Sequence, residues 1–117
     1  MTSSNPMARR TVVMLERAAK SHRVRIWEIA SRKLAAPASL KVEVNVGRIS
    51  RISEAGSVLF VPGKVLGLGE LDKRVVIGAF SFSASARKKI AEKGGSAMSV
   101  EQFLKKYPKG SAVKIVE

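Results

Sequence analysis

The residues of this chain that could do chemistry are few, and most of them converge between Val61 and Gly95. Gly63-Lys64 and Gly67-Leu-Gly69 form a glycine-rich stretch of the kind that can cradle a phosphate. Ser81, Ser83 and Ser85 alternate just ahead of the cationic run Arg87-Lys88-Lys89. Glu70 and Asp72 are the closest acidic pair, and His22 is the lone histidine.

Each constellation is measured against the chemistry it would have to perform. A phosphate-binding P-loop needs a glycine five residues before Gly-Lys and a Ser or Thr after it, but those positions hold Val58 and Val65. A dinucleotide fingerprint beginning at Gly67-Leu-Gly69 would place its third glycine where Asp72 stands. Glu70 and Asp72 adjoin Lys73 and Arg74 and read as a solvated turn. His22 has no neighbouring ligand, and the absence of cysteine removes thiol catalysis, thiolate metal sites and disulfides together. No enzyme, cofactor or metal is expected.

The elements that must position these residues follow from punctuation and periodicity. Pro62-Gly63 is expected to break a short apolar strand spanning 57–61. Arg74 to Ser83 is too apolar and β-branched to lie in solvent and reads as a second strand. Ser83 can cap a helix whose exposed face carries Arg87, Lys88, Lys89 and Lys93, and Gly94-Gly95 ends it with a left-handed turn available. The expected product is a glycine-shaped loop and a short basic helix held on a buried strand.

Upstream, residues 1–4 read as a disordered tail and Asn5-Pro6 as an N-cap with proline at the first helical position. A helix over 7–21 buries Val12, Leu15, Ala19 and Ala8, with Arg9, Arg10, Arg17 and Lys20 toward the other face. His22-Arg23-Val24-Arg25 makes the break, and 26–35 is a second helix ending before Pro37. Trp27 on its apolar stripe is a core anchor, flanked by Arg32 and Lys33. Leu40, Val42, Val44 and Val46 alternate with polar residues or glycine as in a half-buried strand, after which Arg48 to Ile52 shifts to helical spacing. Downstream, Ser99-Val-Glu-Gln102 is a capping box for a helix ended by Pro108-Gly110, and 112–116 is a last strand.

Charge is the strongest global signal. Twenty-two Lys and Arg against nine Asp and Glu give a net charge of +13 over 117 residues. Self-repulsion on that scale opposes compaction unless a polyanion relieves it, which makes nucleic acid the leading partner class. Residues 1–51 carry +8 and residues 52–117 carry +5, so the basic surface is distributed. Aromatic residues make up only 5% of the chain, which favours contacts to phosphate and shape over base stacking. No apolar run approaches the roughly 20 residues of a membrane span, no secretory signal is visible, and no membrane partner is expected.

Several gapped motifs then occur in one order. Val61-Pro-Gly-Lys-Val-Leu-Gly-Leu-Gly-Glu-Leu71, Ala79-Phe-Ser-Phe-Ser-x-x-Ala86 and Ile90-x-x-x-Gly94-Gly95 resemble the signature of the large-subunit ribosomal protein family L-eighteen-e. This is the archaeal and eukaryotic type, and bacterial large-subunit protein fifteen is a more distant relative. The likeness extends to Asn5-Pro6, Val44-Asn-Val-Gly-Arg-Ile49 and Pro108-x-Gly110, and the short chain suits the archaeal form. It implies a structural constituent of the large subunit that binds ribosomal RNA beside neighbouring ribosomal proteins, in the cytoplasm, without homo-oligomerising. It also implies an α/β fold, a small irregular strand-strand-helix superhelical core with two N-terminal helices; the length of 117 residues is that of a single domain over 1–117.

The candidate RNA-binding residues fall into two groups. Arg48, Gly63, Lys64, Ser83, Arg87, Lys88, Lys89 and Lys93 lie within the matched motifs. Arg9, Arg10, Arg17, Arg23, Arg25, Arg32, Lys33, Arg51, Lys73 and Arg74 rest on charge. The glycine loop is expected to let backbone approach sugar-phosphate closely. The alternatives are a nucleic-acid binder outside the ribosome, in chromatin or as an RNA chaperone, and a small nucleotide-binding enzyme using the Gly63–Gly69 loop.

Overall fold

A computed structural model describes residues 6–37 and 41–117. The anticipated tail over 1–4, the Asn5 cap and Leu40 of the first strand lie outside these. The described residues form helices α1 (Pro6–His22), α2 (Arg25–Leu34), α3 (Val46–Ile52), α4 (Ala84–Glu92) and α5 (Val100–Lys106). Strands β1 (Val42–Asn45), β2 (Val58–Leu66), β3 (Val76–Phe82), β4 (Ser96–Met98) and β5 (Val113–Ile115) make one sheet whose pairings are all parallel.

β2 is the spine of this sheet. One edge pairs first with β5, Val58 opposite Val113, and then with β1, Gly63 opposite Val42, so two short strands share one edge end to end. The other edge pairs with β3, which carries β4 beyond it. Parallel neighbours are usually joined through a helix. Here α4 makes that crossover between β3 and β4, whereas β2 and β3 are joined only by the loop 67–75. That is the irregular strand-strand-helix winding implied by the family resemblance.

Alternation along β2 and β3 sends successive side chains to opposite faces, each with its own core. On one face Leu59, Val61, Val65, Ile77 and Ala79 pack with Ile49 of α3 and Ala86 and Ile90 of α4. On the other, Phe60 packs with Leu15 of α1, Trp27, Ala30 and Leu34 of α2, and Phe103 of α5. The sheet is therefore sandwiched between an α1–α2–α5 layer and an α3–α4 layer. Glycine at position 78, mid-strand, makes room for Phe103, because a Cβ there would lie 2.4 Å from its ring.

The structure corrects the sequence reading at several points, among them Val46, which opens α3 and does not continue β1. Pro62-Gly63 does not break the strand, and β2 runs through it to Leu66. The ladder with β3 shifts register between Val61 and Lys64, so a proline without an N–H sits where β2 has one residue too many. β4 was not anticipated, because Ser96-Ala-Met98 is too short and too mixed to show a period. α2 begins at Arg25, one residue early, after Arg23 turns the chain with φ 53°.

Candidate nucleic-acid interface

Both helical layers direct cations outward, for different local reasons. In α1, burial of Ala8, Thr11 and Leu15 fixes the inward stripe, which leaves Arg9, Arg10, Arg17 and Lys20 exposed. Arg23 and Arg25 extend that surface across the turn into α2. On the opposite layer, burial of Val46, Ile49 and Ser50 exposes Arg48 and Arg51 of α3. Burial of Ala86 and Ile90 likewise exposes Arg87 and Lys88, and Lys93 follows at the helix end. Lys64 stands exposed between buried Gly63 and Val65, and Arg74 is exposed with its aliphatic stem beside Gly94. Arg87 holds its guanidinium 5.1 Å from the Phe82 ring centroid, which orients the charge without neutralising it. None of these cations forms an ion pair with a described residue.

Four of the candidate cations have internal partners instead. Arg32 pairs with Glu28 at 2.5 Å one helical turn away. Lys33 reaches Glu117 at 2.6 Å and ties α2 to the C-terminal end. Lys73 lies 3.3 Å from Asp72 and donates to the Ser50 carbonyl. Asp72 in turn accepts from the Ser50 hydroxyl at 2.5 Å, and that bond, with Lys73 beside it, holds its carboxyl below the usual aspartate range.

Lys89 is the fourth, and it changes the reading of the glycine loop. Its ammonium donates to the carbonyls of Gly67 at 2.7 Å and Gly69 at 2.6 Å. The Gly47 N–H donates to the Leu68 carbonyl at 3.0 Å, and the Leu68 N–H donates to the Asn45 side chain at 3.3 Å. This loop therefore offers no free amide at Leu68 for a phosphate. The missing Cβ atoms face protein as well. A Cβ on Gly63 would lie 2.0 Å from the Val42 carbonyl oxygen, and one on Gly67 would lie 1.9 Å from Ser85 Oγ. The space left by the missing Cβ atoms is thus filled by the neighbouring strand and helix.

Ser83 caps α4, accepting the Ala86 N–H at 3.2 Å, and its hydroxyl lies 3.3 Å from that of Ser85. Trp27 is fully buried, as a core anchor should be. Sequence reasoning missed Asn45 and Leu68. The available signal was Leu68 itself, a leucine between two glycines that belongs to no apolar period. No helix among the described residues is long and apolar enough to cross a membrane.

A parallel α/β sandwich with unpaired cations on both outer layers defines a compact basic scaffold, charged like a binder of polyanions. Residues 25–98 match the model of a ribosomal protein family whose description groups 50S-L15 and 50S-L18e with a counterpart from the 60S subunit. The chain is 42% identical over 114 residues to the "Large ribosomal subunit protein eL18" of Methanococcus maripaludis, covering 97% of this chain and 95% of that protein. The protein of that name from Archaeoglobus fulgidus is 40% identical over 117 residues, 99% of each chain. The one from Pyrobaculum aerophilum is 34% identical over 113 residues, covering 97% and 93%. The chain belongs to this ribosomal protein family, in its archaeal form.

Proposed function

We propose that the protein is a structural constituent of the large ribosomal subunit, bound to ribosomal RNA and set beside neighbouring ribosomal proteins in the cytoplasm. The observation that carries this reading is the pair of cationic layers. Arg9, Arg10, Arg17, Arg23 and Arg25 lie on one side, and Arg48, Arg51, Arg87, Lys88 and Lys93 on the other. A scaffold charged on two opposite sides can neutralise phosphates of two RNA segments at once and hold together helices that otherwise repel. Lys64 and Arg74 add to the same field, and Ser83 supports it by starting the helix that carries Arg87, Lys88 and Lys93. Arg32, Lys33, Lys73 and Lys89 act first through their internal partners. The role needs no catalytic group and no cofactor.

Sedimentation of the tagged protein from a cell lysate tests this reading. Co-migration with the large subunit at low salt, with release only at high salt, is the expected result. Migration as a free protein at low salt would overturn it.

A further inference from the structure

The loop between β2 and β3 presents Leu68 to solvent at 74% exposure, the most open of the large apolar side chains among the described residues. Mobile loops often expose such residues without consequence, but this one is held on every side. All three carbonyls from Gly67 to Gly69 are taken, two by the Lys89 ammonium and one by the Gly47 amide. The Leu68 amide is held by Asn45. Gly69, at φ +89°, is pressed so closely on Gly47 that a Cβ would lie 2.8 Å from the Gly47 Cα. Four hydrogen bonds anchor the backbone of the loop, yet the leucine it carries is left 74% exposed.

The surroundings indicate the occupant. The three segments that meet there, 45–51, 63–71 and 83–93, carry seven Lys or Arg against two acids, Glu70 and Glu92. An apolar knob borne where segments with that excess of positive charge meet suits a surface that is anionic at its edges and apolar between them. The shallow minor groove of an RNA helix has that character, with phosphates along the rims and ribose and base edges on the floor. Preorganisation matters here because a loop already ordered loses little freedom on docking.

We propose that Leu68 is an RNA-contact residue seated on the ribose-and-base floor of a ribosomal RNA minor groove, and that Lys89 is its positioning residue. This deepens the proposed function and rests on it. It also separates two kinds of contribution to binding. Leu68 adds affinity that salt does not screen, whereas exposed cations such as Lys88 add affinity that salt erodes.

The test is binding of the full chain to protein-free large-subunit ribosomal RNA across a range of monovalent salt. Leu68→Ala, an exposed change that leaves the core intact, should weaken binding by about tenfold with the log–log salt slope unchanged. Lys88→Ala should instead lower that slope by roughly 0.7–0.9. Lys89→Ala should weaken binding much as Leu68→Ala does and speed hydrogen exchange of the Leu68 amide in the free protein, and Lys89→Arg should restore part of both. If the parent chain binds and Leu68→Ala binds equally well, the Leu68 assignment fails while the ribosomal reading stands. If Leu68→Ala binds RNA normally but no longer enters the subunit, the seat is on a protein and the RNA assignment is overturned. If the parent chain does not bind this RNA, the direct RNA binding on which the assignment rests has failed, and the Leu68 assignment with it.

Discussion

The indole N–H of Trp27 donates to the main-chain carbonyl of Pro108 at 2.7 Å, across 81 residues of sequence. The same ring stands edge-on to Phe60 at 5.4 Å and Phe103 at 6.0 Å between centroids. A Cβ on Gly110 would lie 2.6 Å from Ile26 and 3.5 Å from the Trp27 ring, so the turn after α5 is moulded to α2. One side chain therefore joins the N-terminal helices, the sheet and the C-terminal turn. The cationic layer on α1 and α2 keeps its place relative to the sheet through that junction.

Replacing Trp27 separates its two contributions. Trp27→Ala removes the ring from a fully buried site and should cost about 3–5 kcal/mol. Trp27→Phe keeps most of the apolar volume but leaves the Pro108 carbonyl without its donor, a loss of about 1–3 kcal/mol. Urea unfolding of both variants checks the order. Equal costs would mean that the aromatic cluster adds nothing beyond the hydrogen bond.

Glycine substitutions should divide by what a Cβ would meet. At Gly78 it would meet the Phe103 ring at 2.4 Å, so Gly78→Ala should destabilise by roughly 1–3 kcal/mol. Adding Phe103→Leu should recover part of that loss. At Gly56 nothing lies within 4 Å, and only the φ of +87° is strained, so Gly56→Ala should cost about 1 kcal/mol. Thermal melts of the three variants decide it, and a Gly56 variant worse than the Gly78 variant would contradict the packing argument.

Local signals made much of this fold legible in the sequence. Ser83 caps α4, Ser99 and Gln102 close a capping box, Gly94 ends α4 at φ +75°, and Trp27 is buried. The misreadings concern relations between distant segments. Nothing local tells Pro62-Gly63 that a bulge will absorb it, because the bulge exists only against β3. Ser96–Met98 is a strand only because β3 offers a free edge. The candidate interface divides in the same way. Exposure of Arg9, Arg17, Arg87 and Lys88 follows from helical period, but Lys89 meets Gly67 and Gly69 only once α4 has docked beside the loop.

Asp72 should leave a mark on the acid side of the stability profile. Its carboxyl is held below the usual aspartate value by the Ser50 hydroxyl and by Lys73. A lowered folded-state value means that its stabilisation is fully present above the unfolded value, near 3.9, and is lost as pH falls through the folded value. Asp72→Asn should therefore be less stable than the parent by a constant amount above about pH 5, and the gap should narrow below about pH 4. The carboxylate is largely solvent-exposed, so the gap should be small. Chemical denaturation at stepped pH reads it. A gap that widens toward low pH would reverse the sign and rule out this network as its source.

Salt dependence should distinguish free cations from engaged ones. Arg48, Arg87, Lys88 and Lys93 make no ion pair with described residues, so each change to alanine should lower the log–log salt slope of RNA binding by roughly 0.7–0.9. The four together should lower it nearly additively, with no single change abolishing binding. Arg32 already holds Glu28, so Arg32→Ala should change the slope less, because the RNA gains one repelling carboxylate but loses no free contact. Lys64→Ala is the sharpest check on a distributed surface. A complete loss of binding from that one change would show a single anchoring contact, and the layered model would then be wrong.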